Sequence, residues 1–355
     1  MRVLIFGLLL VGLFSCKHEA SIIPRSFSEM EIETLLQDSL LNVRALEIIP
    51  QIDGAFFLCS KGYGGSISRI DSEETLFETE VVYPIQIIED EINFRSFGQT
   101  NDAAFGLSIE NPAFLYKIGR DETTLVYKEN HPKAFYDSMD FWNDQEGIAI
   151  GDPTDDCMSV IITRDGGDTW TKLSCDNLPK AKAGEAAFAA SDTNIAIIGD
   201  HTWVATGGKS SRILYSPDKG KTWEVYDTPI IQGKETTGIY SMDFYDEKNG
   251  FAIGGDYTKP NDTLNNKIRT NDGGKTWQVV ANGNGPGYRS CVQYVPNSEG
   301  KELVAIGFKG IDYSNDAGDS WKHLSDEGYY TIRFLNDSVA YAAGKGRISK
   351  LTFKE

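Results

Sequence analysis

The sequence predicts an all-β protein made of one repeated four-stranded unit, and three observations carry that prediction. Thirty-five glycines against 12 prolines punctuate many short apolar runs, the pattern of tight turns joining short strands. A turn motif ending in tryptophan recurs four times. An apolar two-strand pattern ending in glycine precedes it, so a single repeat accounts for a length that would otherwise suggest two or three domains. Composition adds two exclusions. With 34 Lys+Arg against 52 Asp+Glu the net charge is −18, which repels nucleic acid, and the 40% apolar content is too high for a disordered chain.

Residues 1–15 stand apart from the fold. They carry Arg2, an apolar run over residues 3–14, and then Leu13-Phe14-Ser15-Cys16. The run is too short to span a bilayer as a mature helix. It resembles a bacterial lipoprotein signal, whose cysteine is acylated and becomes the new N-terminus; an ordinary secretory signal with an incidental cysteine is the alternative. The resemblance implies lipidation at Cys16, a tether over residues 16–27, a single domain over 28–355, and a place in the bacterial cell envelope with the membrane reached through lipid alone. Such a compartment is oxidising. Cys157 and Cys175 lie symmetrically about Gly166, a placement compatible with a cross-strand disulfide, though spacing leaves the pairing register open. Cys59 and Cys291 sit inside apolar runs and read as buried free thiols.

The repeat itself is Thr163-Arg-Asp-Gly-Gly-Asp-Thr-Trp170, Ser216-Pro-Asp-Lys-Gly-Lys-Thr-Trp223, Thr270-Asn-Asp-Gly-Gly-Lys-Thr-Trp277 and Ser314-Asn-Asp-Ala-Gly-Asp-Ser-Trp321, with tryptophans 53, 54 and 44 residues apart. It is similar to the Asp-box, or bacterial neuraminidase repeat, of β-propellers. Its logic is a hairpin turn: Asp165, Asp218, Asp272 and Asp316 accept backbone N–H groups, a glycine permits the turn, and Trp170, Trp223, Trp277 and Trp321 pack between neighbouring hairpins. No carboxylate cluster with ligand spacing accompanies these aspartates, so no metal is expected.

Ser138-Met-Asp-Phe through Gly151, Ala187-Phe-Ala-Ala through Gly199 and Ser241-Met-Asp-Phe through Gly254 read as the first and second strands of successive units, with the motif turn between the third and fourth. Degenerate copies over residues 43–80 and 94–130, and three strands over 329–353, bring the count to seven. The expectation is a seven-bladed β-propeller of four-stranded antiparallel blades, its ring closed by an N-terminal strand over residues 30–35 that completes the last blade. A short helix over residues 28–41 competes for that segment.

Together these patterns cover residues 40–355. They resemble the photosystem II assembly/stability factor family and its lipoprotein relatives in non-photosynthetic bacteria, which implies a non-enzymatic binding or assembly role. The boxes alone resemble sialidases, which would imply glycoside hydrolysis. Aligned first strands place Arg44, Arg95, Asp137, Glu185, Tyr240, Arg289 and Tyr330 at equivalent positions around a central channel, and the second-to-third strand connections add Asp152, Asp200, His201 and Asp256. The expected site is a funnel split between arginines on one side and acids on the other, holding a protein or a small anionic or glycan ligand. The sialidase alternative would use the arginines as a carboxylate clamp with Tyr240 or Tyr330 as nucleophile, but its Arg-Ile-Pro opening is absent. No catalytic residue, cofactor or metal is assigned: the four histidines are scattered, and no glycine-rich stretch opens a helix. A monomer is expected.

Overall fold

The computed structural model describes residues 25–49, 54–70, 79–87, 92–119 and 122–355, with 68–70 and 79–86 by backbone alone. The segment expected as a signal, Cys16 and the expected tether up to residue 24 lie outside the described residues. What is described is a β-propeller of four-stranded antiparallel blades.

Each blade is apolar on both faces because it is packed by a neighbour on both. In the blade of Tyr136–Phe141, Gly147–Gly151, Ser159–Thr163 and Thr171–Lys172, the second and third strands are buried throughout. Strand alternation sends Ile148, Ile150, Val160 and Ile162 toward Ile195, Val204 and Leu214 of the following blade and toward Leu178 of the connection leading to it. Ala149, Ile161 and Met139 face the opposite way, against Phe105, Leu107 and Leu115. Each such fully buried Ile, Leu or Val contributes roughly 1.5–3 kcal/mol, so the blade interfaces hold the ring together. Outer strands such as Glu224–Asp227 read mostly polar and face solvent.

The four motif turns share one hydrogen-bond set. In the first, Thr163 Oγ1 donates to Asp165 Oδ1 (2.9 Å) and accepts Gly167 N (2.9 Å), while Asp165 accepts Thr169 N (2.9 Å) and Thr169 Oγ1 (2.6 Å). Asp218, Asp272 and Asp316 repeat it. Burial alone would raise these four carboxyls; the converging donors outweigh it and hold them below their ordinary value. Trp170 and Trp277 are buried and Trp223 and Trp321 half-buried. The motif glycine is required twice over. At Gly318 φ is +88°, and a Cβ would sit 2.2 Å from the Phe251 ring.

Two expectations need correction. The described residues form six hydrogen-bonded sheets, not seven: one of seven strands, one of six, and four of four. The seven-stranded sheet arises because Glu29–Ile49 is one continuous 21-residue strand. Its first part, Glu29 to Asn42, pairs with Lys345–Lys354, and Val43 to Ile49 pairs with Gly54–Cys59, so the last three strands and the first four share a single ladder. The segment weighed as a short helix is therefore strand. The six-stranded sheet gains two-residue strands at Glu185–Ala186 and Gly207–Gly208.

Residues 187–199 also depart from the expected pair of strands. The first strand there is Ile195–Ile198, turning through Gly199 (φ +60°) and Asp200 into His201–Ala205. Residues 187–194 are not strand. They leave the sheet because their polar backbone finds partners in the centre of the ring, as described below.

Cys157 and Cys175 are bonded, with Cα atoms 5.4 Å apart. They are not partners across the hairpin centred on Gly166. Cys157 lies in the connection before Ser159–Thr163 and Cys175 in a 3-10 turn after Thr171–Lys172, so the bond ties two connections at the blade's end. Cys59 and Cys291 are buried free thiols.

Candidate functional site

Strand direction gives the ring two unlike faces. The motif turns and the turns between first and second strands share one face, locked by Gly166 N to Gln145 O, Lys219 N to Asp200 O, Gly273 N to Lys248 O and Ala317 N to Lys301 O. The second-to-third strand connections form the other. Asp152 and Asp256 lie on that second face as expected. Asp200 and His201 do not: the true strand boundaries put them beside the motif turns, where Lys219 lies 3.5 Å from Asp200, and His201 Nδ1 meets the Tyr215 hydroxyl at 2.5 Å.

At the ring's centre, residues 188–193 run as a plug bonded to residues in or beside the strands that line it. Arg44 Nη1 donates to Ala190 O (2.7 Å) and Arg95 Nη1 to Ala189 O (3.2 Å). Asp192 accepts Ser96 Oγ (3.0 Å), Phe97 N (2.7 Å) and Met139 N (3.1 Å). Thr193 Oγ1 donates to Ser241 Oγ and Met242 N to Thr193 O, Ser191 Oγ donates to Ser290 O, Thr331 Oγ1 donates to Ser191 O, and Arg333 to Asp192 O. A run of small polar residues, Ser191-Asp-Thr-Asn194, is the sequence trace of this plug, and strand alignment misread it as a turn.

The expected funnel residues separate accordingly. Arg44, Arg95 and Tyr330 do come together: the Arg44 guanidinium stacks 3.8 Å over the Tyr330 ring. Burial lowers Arg44 below its ordinary value, and burial followed by the charge of Arg44 lowers Arg95 to about 10. Arg44 Nε has no protein partner. Asp137 and Asp152 form the acidic side. Burial first, then the charge of Asp152, pushes Asp137 well up, and burial raises Asp152 to about 6. Glu185 and Arg289 are engaged elsewhere. Glu185, which is not at the start of a first strand, makes a two-point buried pair with Arg212 (2.9 and 2.6 Å), and Arg289 Nε bonds Asp312 (2.7 Å), which also holds His323. Asp256 bonds Thr258 and lies 3.9 Å from Lys234. Tyr240 donates its hydroxyl to Thr236 O, and burial pushes it well up, opposite to what a nucleophile needs.

Nearer the motif face, Glu47, Asp140, Asp243, Gln293 and Arg333 line a polar cavity of about 190 Å³ below Asp192. Arg333 Nε bonds Glu47 at 2.7 Å, and burial raises Asp140 and Asp243 to about 7. Among the described residues no three His, Cys, Asp or Glu side chains are grouped to hold a metal.

Sequence reasoning missed an aromatic surface on the connection face. Phe188 stacks on Tyr240 at 3.9 Å, Tyr288 packs edge-on to Tyr240 at 4.8 Å, and Tyr257 and Phe308 flank Tyr288 at 6.4 and 5.4 Å. Tyr257 is 48% exposed and Phe308 41%. The available signal was a lone aromatic directly after a second strand, in Asp256-Tyr257 and Gly307-Phe308.

No known sequence family matches the chain, and no curated protein does. Solved structures match well. A structure described as YCF48 bound to D1 peptide superposes with a TM-score of 0.62 at 12% identity, covering 94% of this chain and 97% of that one. YCF48 from Cyanidioschyzon merolae gives 0.60 at 11%, covering 92% and 98%, and the WD40 repeats of RRP9 give 0.60 at 10%, covering 93% and 99%. At these identities the likeness establishes the propeller fold alone.

Proposed function

We propose that this protein is a lipid-anchored propeller of the bacterial cell envelope that binds a partner protein through its connection face, as a non-enzymatic assembly scaffold. In this reading Cys16 carries the lipid, and the four motif turns are Asp-boxes. The strand Glu29–Ile49 pairs with Lys345–Lys354 on one side and Gly54–Cys59 on the other, and in this reading it closes the ring.

The observation that carries the reading is the contrast between the faces. The motif turns are self-satisfied hydrogen-bond knots, whereas the connection face presents exposed aromatic rings beside Arg44, Arg95 and Tyr330, the residue types that dominate protein interfaces. A propeller of the same fold is described as bound to a peptide, which agrees with this use of the architecture.

Photo-crosslinking in membranes tests it. A crosslinker at Asp155 or Lys345, on the connection face, should capture a discrete partner, and one at Lys221 or Lys275, in motif turns, should not. Equal capture from both faces, or none from the first, overturns the proposal. Cys16→Ser should move the protein from the membrane to the soluble fraction.

A further inference from the structure

Seven large apolar side chains are exposed among the described residues: Leu40, Tyr63, Leu125, Val225, Tyr257, Leu264 and Phe308. Four of them, Tyr63, Tyr257, Leu264 and Phe308, belong to the connection face, so the exposed apolar surface is concentrated there rather than scattered. Tyr257 and Phe308 alone share a ring neighbour. Both pack on Tyr288, itself 4% exposed, which makes a floor with two raised walls. Tyr240 and Phe188 support that floor from behind. The platform is rigid where it is buried and open where it meets solvent.

Charge around the platform runs against the chain's overall −18. Lys309 follows Phe308 directly, and Lys345 stands on the adjoining connection; both are exposed. Three nearby acids are engaged, Asp312 with Arg289, Glu327 with Arg347 (2.6 Å) and Asp256 with Thr258, whereas Asp326 is exposed beside His323 and Asp262 caps the Leu264 amide. An apolar seat rimmed by uncommitted cations complements a segment with one apolar anchor and neighbouring carboxylates.

Resting on the scaffold reading above, we infer that Tyr257, Tyr288 and Phe308 seat an aromatic or aliphatic side chain of an acidic partner peptide, whose carboxylates meet Lys309 and Lys345.

Fluorescence anisotropy on the mature chain with Cys16→Ser tests this with three labelled nonapeptides: glutamate-rich with a central phenylalanine, the same with alanine in its place, and lysine-rich with the phenylalanine. The first should bind roughly tenfold tighter than the second, and the third should not bind. Tyr257→Ala with Phe308→Ala should remove the tenfold preference with no more than a small drop in melting temperature, since about half of each side chain already faces solvent. Lys309→Glu with Lys345→Glu should weaken binding and flatten its salt dependence. Equal binding of the alanine peptide, an unaffected aromatic double variant, or binding to anionic phosphatidylglycerol vesicles in place of any peptide overturns the inference. Should all peptides fail while crosslinking from Lys345 still captures a partner, the inference falls and the scaffold reading stands.

Discussion

The central plug makes a quantitative demand on Asp192. Its two carboxyl oxygens accept the amides of Phe97 and Met139 as well as the Ser96 hydroxyl, at 2.7, 3.1 and 3.0 Å, with Asp192 buried at the ring's centre. In Asp192→Ala both amides lose their acceptor and remain buried. At about 1–3 kcal/mol for each unsatisfied donor, the cost is about 2–6 kcal/mol, a large share of the roughly 5–15 kcal/mol that holds a domain folded. Asp192→Asn keeps one acceptor oxygen and turns an NH2 toward the other amide, so it should cost about 1–3 kcal/mol. Urea unfolding at pH 7 reads these values, and amide hydrogen exchange localises them: Phe97 and Met139 should exchange faster in both variants. An Asp192→Ala variant within about 0.5 kcal/mol of the parent, or exchange unchanged at those two amides, would refute the plug as a structural crosslink.

Three further outcomes follow from buried and constrained groups. Burial raises Asp152 to about 6 and Asp140 and Asp243 to about 7, so their stabilising contribution is complete below their unfolded value near pH 4 and drains away as pH rises toward 7. Glu146, held down to about 2 by Lys219, and the lowered motif aspartates contribute above pH 4 and lose that contribution as pH falls. Melting temperature should therefore peak near pH 4 and fall as pH rises toward 7, and a steady rise from pH 5 to 8 in calorimetry would contradict the assignment. Cys175→Ser opens a link of sequence separation 18 and should cost about 3 kcal/mol in reversible unfolding, against no change if the unfolded chain is not restrained by it. Gly318→Ala meets both a φ of +88° and the Phe251 ring, and should lose about 2–4 kcal/mol; a melting temperature equal to the parent's would show that the turn relaxes freely.

Local chemistry explains what was legible beforehand. The motif turns were readable because every part of their hydrogen-bond set lies within eight residues, from Thr163 to Trp170. Blade strands were readable from apolar alternation, and Arg44, Arg95 and Tyr330 met because equivalent positions in equivalent strands do meet. The plug was not legible. Its partners, from Arg44 to Arg333, are scattered over the whole chain, and nothing local distinguishes Ser191-Asp-Thr-Asn194 from an ordinary turn. That one misreading shifted the strand register and carried Glu185, Asp200 and His201 to the wrong places. The merged sheet escaped prediction for a related reason: whether a strand continues from Asn42 into Val43 depends on two different partner strands, not on its own residues. The aromatic platform was hidden because Tyr257, Tyr288 and Phe308 come from separate connections that only the ring brings together.

The connection face as the binding surface is the claim on which everything functional rests. Hydrogen–deuterium exchange of the protein, alone and with its crosslink-identified partner, tests it directly. Binding should protect residues 257–266, 286–290 and 308–310 and leave the motif turns at 163–170, 216–223, 270–277 and 314–321 unchanged. Protection confined to those turns, with the aromatic connections exchanging as in the free protein, would contradict it.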